Sequence, residues 1–354
     1  RSAETRAVVD ALENARAGGS RFVGGCVRNT LMGREVDDID IATQLTPNEV
    51  INAAKLAGLV AAPTGIEHGT ITVVANHVPY EVTTLRRDVT TDGRRATVAF
   101  TEDWNEDAQR RDFRLNALYA SPDGAVHDPT GGGLDDARVG RIIFIGDADT
   151  RIREDYLRIL RFFRFNAWYG KGTLDPRGLA ACEKLVGGLD ALSAERVWKE
   201  AKKLLSARDP RAAWASMEAI GVRAHALPEM TQHARLVALM GLEADLLLDV
   251  DPLTRIAAGL PDVDAARALA RRLKVSNEER DRLTQWRALI AMATSWARPK
   301  LPLTGEEVMA AGVAPGPKVG EVMREVETWW IDSDFTDDKL SIVERLKAVA
   351  QALG

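Results

Sequence analysis

A change of hydrophobic period near residue 148 limits what this chain can fold into more than any other feature. Up to that point short β-type runs alternate with helical ones, and beyond it apolar residues recur at helical spacing to the end. The expected fold is therefore α+β, a small mixed-sheet unit followed by an all-helical region. Strands are expected at Ile71 to Ala75, Val78 to Thr84 and Gly124 to His127, with a hairpin around Ala75-Asn76-His77 and a polar helix over 104–111. The charged stretch RRDVTTDGRRATVAF holds Asp92-Gly93, which marks a loop between strands. Helices are expected over 150–169, 176–187, 193–207, 210–220, 264–273, 276–293, 316–331 and 336–352. Breaks fall at Gly170-Lys171-Gly172 and at Ala314-Pro315-Gly316-Pro317. At 354 residues the chain predicts more than one packed unit, since single cores rarely grow past ~250–300 residues.

Within the first region, RFVGGCVRNTLMGREVDDIDIAT (21–43) places a glycine pair after an apolar strand and two aspartates one residue apart on the next strand. A strand sends alternate residues to one face, so Asp38 and Asp40 are expected to point together while Ile39 and Ile41 turn into the core. Two carboxylates that close need a cation to neutralise them, and hard oxygen ligands suit Mg²⁺ better than zinc. Gly24 and Gly25 let the backbone approach a ligand. The helix that opens at Val27 offers free N–H groups, and with Arg28 these can hold phosphate oxygens. Taken alone, the glycine pair is equally a tight turn; combined with D-x-D in one strand-helix-strand unit it favours a metal-dependent reaction on a nucleoside triphosphate.

The net charge of −5 is unevenly divided. Residues 1–150 carry 16 Lys and Arg against 23 Asp and Glu, and residues 151–354 carry 31 against 29. The acidic part holds the metal candidates. The basic clusters lie in the helical part: Arg151, Arg153, Arg158, Arg161 and Arg164, then Arg196, Lys199, Lys202 and Lys203, then Arg267, Arg271, Arg272 and Lys274. Each reads either as a solvated helix face or as a phosphate-binding surface. Two cysteines, Cys26 and Cys182, are too few for a disulfide framework or a zinc cluster, so a reducing cytosol is expected, and Cys26 reads as core filler. No membrane segment or secretory signal is visible.

Three further constellations carry chemistry. Glu81, in VPYEVTTLRR, is either an exposed strand residue or a third carboxylate beside the Asp38 and Asp40 strand. In RRDFRLNA, Arg110 to Ala117, arginine forks suit phosphate or a ribose edge and an aspartate can accept from a 2′-hydroxyl; the same residues can equally form an internal Arg–Asp brace. In REDYLRILRFFRF, Arg153 to Phe165, Asp155, Arg158 and Phe162 share one helix face, and Leu157, Leu160 and Phe163 form an apolar stripe. An aspartate beside an arginine offers one acceptor group and a planar donor fork, which can read a base edge or make an ordinary helix salt bridge. LSAERVWKEAKKLL (192–205) begins with a capping Ser193, and Glu195 and Arg196 brace either the base-reading helix or their own.

This set of motifs, in this order and spacing, resembles the bacterial class II CCA-adding enzymes, tRNA nucleotidyltransferases that are themselves similar to bacterial poly(A) polymerases. The resemblance runs through GGCVRN, DDIDIAT, PTGIEHGTITVV, PYEVTTLRRD, RRDFRLNALYA, DPTGGGLDD, REDYLRILRFFRF and LSAERVWKEAKKLL, and extends into the tail. It implies a polymerase-beta-like nucleotidyltransferase head (1–148), a helical neck with the nucleotide-selecting helix (149–208), a helical body (209–300) and a tRNA-binding tail (301–354). It also implies that Asp38 and Asp40 ligate the metals, Mg²⁺, with Glu81 in support. Gly24, Gly25 and Arg28 would face the triphosphate. Arg111 and Asp112 would match the ribose-sensing motif, with Asn116 and Arg161 among the nucleotide-binding residues. Asp155 and Arg158 would match the amino-acid template that pairs with the bases of CTP and ATP. One departure is Asn29, where many relatives have Asp.

The implied reaction is template-independent addition of CCA to the tRNA 3′ acceptor end with release of pyrophosphate, by two-metal in-line attack. Alternatives of the same class are a poly(A) polymerase or an enzyme adding only CC or only A. GIEHGTITVV and the unshortened loop Arg86 to Arg95 favour full CCA addition. An inactive RNA-binding protein on the same scaffold predicts lost carboxylates, and all three are present. The five histidines include no His-Asp pair outside the DPTGG turn, so no phosphohydrolase module is expected. Oligomeric state is not legible from the sequence.

Overall fold

The computed structural model describes residues 2–92, 95–295, 300–333, 335 and 338–353. They form two compact units, Arg1–Ile290 and Ala291–Gly354.

The first unit opens with a seven-stranded sheet built from β1 (Ser20–Val23), β2 (Asp40–Thr43), β3 (Val60–Gly65), β4 (Thr70–Ala75), β5 (Val78–Thr84), β8 (Tyr119–Ala120) and β9 (Val126–His127). The order is β3-β4-β5-β2-β1-β8-β9, and every pairing is antiparallel except β2 with β5. The expected β4–β5 hairpin is present. Asn76 and His77 take φ of +47° and +67°, the left-handed pair that a two-residue hairpin turn demands. Helices α1 (Ala3–Ala15) and α3 (Pro47–Leu56) cover one face of the sheet. Their Val8, Leu12, Val50 and Ala54 pack on Ile41, Ile71, Val73 and Val82. A capping box between Thr46 and Glu49 starts α3.

Residues 86–100, expected to be a loop, instead form a separate antiparallel hairpin of β6 (Arg86–Asp92) and β7 (Arg95–Phe100). Charged side chains do not forbid a two-stranded ribbon. Of the Asp92-Gly93 pair expected to mark the loop, Gly93 lies outside the described residues. Helices α2 (Gly25–Leu31), α4 (Trp104–Gln109) and α5 (Gly133–Val139) complete this part.

Beyond residue 147 the described residues are helical, as the period predicted. The helix expected over 150–169 is two helices, α6 (Ala148–Glu154) and α7 (Leu157–Tyr169), broken at Asp155, whose φ of −159° is extended. No Gly or Pro marks this break. It is held by Asp155 itself, whose carboxylate accepts from the backbone N–H of Leu157. Then follow α8 (Pro176–Lys184), α9 (Ala194–Leu205), α10 (Arg211–Ala219), α11 (Val222–Ala226), α12 (His233–Asp245), α13 (Pro252–Gly259), α14 (Val263–Arg272) and α15 (Asn277–Ser295). The last turn of α9 is pinned by the buried Arg255, which pairs with Glu243 at 2.6 Å and donates to the carbonyls of Leu205, Ala207 and Arg208. The second unit contains α16 (Gly305–Ala310), α17 (Pro317–Asp332) and α18 (Lys339–Leu353) around Val308, Val322, Val326, Trp330, Ile342 and Leu346. No described helix is long and apolar enough to cross a membrane.

An aromatic core joins the sheet region to α7. Phe113 sits 4.8 Å from Phe144 and 5.1 Å from Phe165, centroid to centroid, and Phe144 stacks on Phe162 at 5.4 Å. Phe113 is completely buried. Truncating it leaves a cavity between the sheet unit and α7, so Phe113→Ala is expected to destabilise the first unit by about 3–5 kcal/mol in urea unfolding. A change under about 1 kcal/mol would mean that the two parts do not share this core.

Candidate active site

Asp40 is the first residue of β2 and lies directly beside Glu81 of β5 in the parallel register. Registered partners point to the same face of a sheet. With Ile41 and Val82 packed under α1 and α3, the carboxylates of Asp40 and Glu81 therefore share the opposite face. The expected neighbourhood of Glu81 is thus realised. Asp38 is not on the strand as expected; it lies in the exposed coil just before β2, because pairing with β5 begins only at Asp40. Ile39 is half-buried against the same core as Ile41, and Asp38 lines a cavity of about 350 Å³ together with Asp40, Gly25 and Arg28.

Burial, and next the charges of Glu81 and Asp38, push the Asp40 carboxyl above its ordinary range, opposed by Arg111. None of the three carboxylates takes a hydrogen bond or ion pair from a described side chain. No three metal-ligating groups among the described residues converge into a closed cage. The donor set is an open pair of hard oxygens with excess negative charge. It fits a divalent cation of the kind that takes one or two carboxylates and completes its shell with substrate phosphates and water.

Gly24, at φ +70°, ends β1 in a conformation that side-chain-bearing residues rarely adopt, and a Cβ there would lie 3.7 Å from Arg111 Nη1. Arg28, on α2, is buried and bonded. Its guanidinium donates to Asn116 Oδ1 at 2.5 Å, Tyr169 Oη at 2.7 Å and Asn29 Oδ1 at 2.8 Å, and it stacks on the Tyr169 ring at 3.9 Å. Asn29 uses both ends of its amide, accepting from Arg28 and donating to the Glu35 carbonyl at 2.8 Å. An aspartate could not make the second bond.

The sequence neighbours Arg111 and Asp112 do not pair with each other. Asp112 is buried and accepts from Arg161 Nε at 2.7 Å, from Asn116 Nδ2 at 3.0 Å and from the Phe113 N–H at 2.8 Å. Burial alone would raise its pKa, but Arg161 and these bonds hold it below the usual range. Arg111 turns the other way, to Asp107 at 3.0 Å. Sequence reasoning missed Asp107. Only 1% exposed, it also binds Arg110 at 2.7 Å and accepts the Tyr119 hydroxyl at 2.7 Å. The signal was present in EDAQRR, where an acid precedes arginines by three and four residues on one helix face.

At the start of α7, Arg158 Nη1 donates to Glu154 and to the Arg151 carbonyl, and Nη2 to the Arg110 carbonyl. Its Nε–H and one Nη2–H have no partner among the described residues. Asp155 accepts from Arg196 at 2.6 Å, so Arg196 does brace this helix, whereas Glu195 meets Lys274 at 2.9 Å. Cys26 is buried, donates to the Val23 carbonyl, and is pushed up in pKa by burial, in keeping with core filler. Asp128 accepts the N–H groups of Gly131, Gly132 and Leu134 and so holds the DPTGG turn.

Comparison with known proteins gives the class first. Residues 20–143 match the family described as Poly A polymerase head domain, and residues 173–233 match one described as Probable RNA and SrmB- binding site of polymerase A. The structure resembles that of Bacillus stearothermophilus CCA-adding enzyme in complex with CTP, with a TM-score of 0.66 at 23% identity over 99% of both chains. It also resembles Thermotoga maritima CCA-adding enzyme complexed with tRNA_CCA, with a TM-score of 0.63 at 18% identity over 97% of this chain and 94% of that one. The fold is therefore that of a nucleotidyltransferase head followed by helices. In sequence, the chain is 31% identical over 392 residues to CCA tRNA nucleotidyltransferase 1, mitochondrial, of Danio rerio, covering 92% of this chain and 86% of that protein. It is 29% identical over 374 residues to the CCA-adding enzyme of Levilactobacillus brevis, covering 91% and 92%. This chain belongs to the CCA tRNA nucleotidyltransferase family.

Burial raises the cost of the Asp107 charge, yet Arg111 and Arg110 outweigh it and hold the carboxyl far below its ordinary value. A depressed native pKa stabilises the fold above the unfolded pKa, and the contribution is lost as pH falls from there toward the native value. Asp107→Asn is therefore expected to lower stability at pH 7 and to flatten the loss of stability below about pH 4, in urea titrations across pH. An unchanged pH profile would show that this carboxylate is not carrying the arginine pair.

Proposed function

We propose that this chain adds CCA to the 3′ end of tRNA from CTP and ATP, without a nucleic-acid template, in the cytosol. The observation that carries the reading is the placement of Asp40 beside Glu81 on one sheet face, with Asp40, Asp38 and Arg28 lining one cavity and no ion pair to the three carboxylates among the described residues. The reaction is an in-line displacement. The terminal 3′-hydroxyl attacks the α-phosphorus, the bond to the β-phosphate oxygen breaks, and pyrophosphate leaves with the electron pair.

Asp38 and Asp40 would hold the divalent ions, Mg²⁺ in our reading, with Glu81 adding to the local negative field. When bound there, such ions ease deprotonation of the attacking hydroxyl and neutralise charge on the leaving group. The rest of the task falls to positioning. Gly24 and Gly25 border the triphosphate, and Arg28 is held at its edge by Asn116 and Tyr169. Arg111 and Asp112 select ribose, Asn116 orients Asp112, and Arg161 fixes it through their ion pair.

Asp155 and Arg158 read the base. The fork of Arg158 is fastened at Nη1, which leaves an unpaired Nε–H and Nη2–H edge for a base. Residues 149–208 act as neck, 209–300 as body and 301–354 as tail, the helical part gripping the tRNA. The description attached to residues 173–233, an RNA-binding site, supports that assignment.

Asp40→Ala is expected to abolish nucleotide addition while leaving tRNA binding nearly intact, as read by incorporation and filter binding; near-normal turnover would reject the carboxylate assignment. Arg158→Ala is expected to blur the choice among CTP, ATP, UTP and GTP in single-nucleotide incorporation, because the donor fork is lost. Sizing the products from transcripts lacking CCA separates full addition from a CC-only, A-only or poly(A) outcome.

A further inference from the structure

The cavity that holds Asp38 and Asp40 has a second wall, made by α7 and α9, from which Arg164, Trp168 and Lys203 face in. This wall and its surroundings carry more positive than negative charge. Arg161 is matched by Asp112 and Arg164 by Glu200 at 2.6 Å, but the partners of Arg28 are neutral groups, and Lys203 has no ion pair or side-chain hydrogen bond among the described residues. Lys203 lines the same cavity as the two aspartates yet is not within ion-pair reach of them, so a gap separates the acidic wall from the basic one. Burial, then Arg164 and Lys199, push the Lys203 amine below its ordinary pKa, and burial, then Arg164 among neighbouring charges, does the same to Arg28. Cations gathered without acids to match them are stabilised by an anion.

The direction of α7 says which anion. If the base is read at Arg158, then Arg164 and Trp168 lie six and ten residues further along the helix, about 9 and 15 Å at 1.5 Å per residue. That span suits a nucleotide lying along α7 with its α-phosphorus at the carboxylates and its terminal phosphates beyond them. The position of Lys203 is fixed on the protein side, because Trp168 Nε1 donates to its backbone carbonyl at 2.6 Å.

We infer that Lys203 contacts substrate: its ammonium meets the β- and γ-phosphates of bound CTP or ATP from the α9 side and accompanies the pyrophosphate as it leaves. The inference rests on the nucleotide-addition reading above and adds a phosphate ligand from outside the sheet unit. It is tested with the full chain by calorimetric titration of CTP, CMP and inorganic pyrophosphate in the presence of Mg²⁺, for wild type, Lys203→Met and Lys203→Arg. Lys203→Met should weaken CTP and pyrophosphate about tenfold, which is ~1.4 kcal/mol, and leave CMP within about twofold. Lys203→Arg should restore most of the loss, and the KM for CTP should rise in Lys203→Met with a smaller change in kcat.

Equal weakening of CTP and CMP, or no weakening of CTP and pyrophosphate, would overturn the inference while wild-type CTP binding and incorporation stood. Absence of both in wild type would instead bring down the reading on which it rests.

Discussion

The ion pair between Asp112 and Arg161 is the contact on which the rest of the site depends. Asp112 belongs to the loop after α4 and Arg161 to α7, so their bond ties the sheet unit to the first long helix of the helical region. A carboxylate that deep is tolerable only if every lone pair finds a donor, and here the guanidinium, an amide and a backbone N–H supply them. Asn116 passes the constraint on. One end of its amide holds Asp112 and the other holds Arg28, so an arginine of the glycine motif is positioned from a helix that begins 129 residues downstream in sequence. Removing one partner of such a pair leaves an uncompensated buried charge, a penalty of about 3–5 kcal/mol. The aromatic stack of Phe113, Phe144, Phe162 and Phe165 lies beside the same loop and excludes water, which strengthens every polar bond in it.

This construction separates charge across one cavity. The sheet side contributes carboxylates that take no ion pair among the described residues, and the helical side contributes arginines and a lysine only partly matched by acids. Left to themselves the two walls would attract and collapse. They are held apart because Arg161 and Arg164 are already engaged by Asp112 and Glu200, and because Arg28 is fixed by uncharged partners. What remains is a slot polarised, in the proposed reading, to accept a molecule that is itself polarised: a phosphate chain with bound cations on one side and bare oxygens on the other.

The sequence revealed those parts of the site that rest on local periodicity and missed those that rest on long-range pairing. Alternation along DIDIAT correctly turned Ile41 inward and Asp40 outward, and the apolar run PYEVTT placed Glu81 on a neighbouring strand. The same alternation overextended the strand to Asp38, because pairing with β5 begins only at Asp40, although β5 itself runs back to Val78. The break between α6 and α7 was invisible since it has no glycine or proline; only the capping carboxylate of Asp155 reveals it. In RRDFRLNA both readings, brace and substrate contact, were open. The structure shows why: Arg111 and Asp112 do brace, but with Asp107 and Arg161, partners on opposite sides that adjacency in the chain could not indicate.

In the proposed reading, selecting a base without a template needs a donor fork that does not move, and the surroundings of Arg158 explain how a long, flexible side chain becomes rigid enough. A free arginine has about 2 kcal/mol of rotamer entropy to lose on binding, comparable with the roughly 1–3 kcal/mol that a good bidentate contact gives against a wrong base. Were that entropy lost only at binding, discrimination would shrink toward nothing. Here Glu154 and the carbonyls of Arg151 and Arg110 fix the guanidinium beforehand, using three of its five N–H groups. Glu154 would be in reach at i,i+4 of an unbroken helix, but the break at Asp155 turns the Asp155 N–H to the Ile152 carbonyl and so leaves the Arg151 carbonyl for the fork. The same break exposes the Asp155 carboxylate beside the fork, where Arg196 holds it. A continuous helix would give up the backbone N–H of Leu157 as a donor to Asp155 and with it the fixed acceptor that a base edge needs next to a fixed donor.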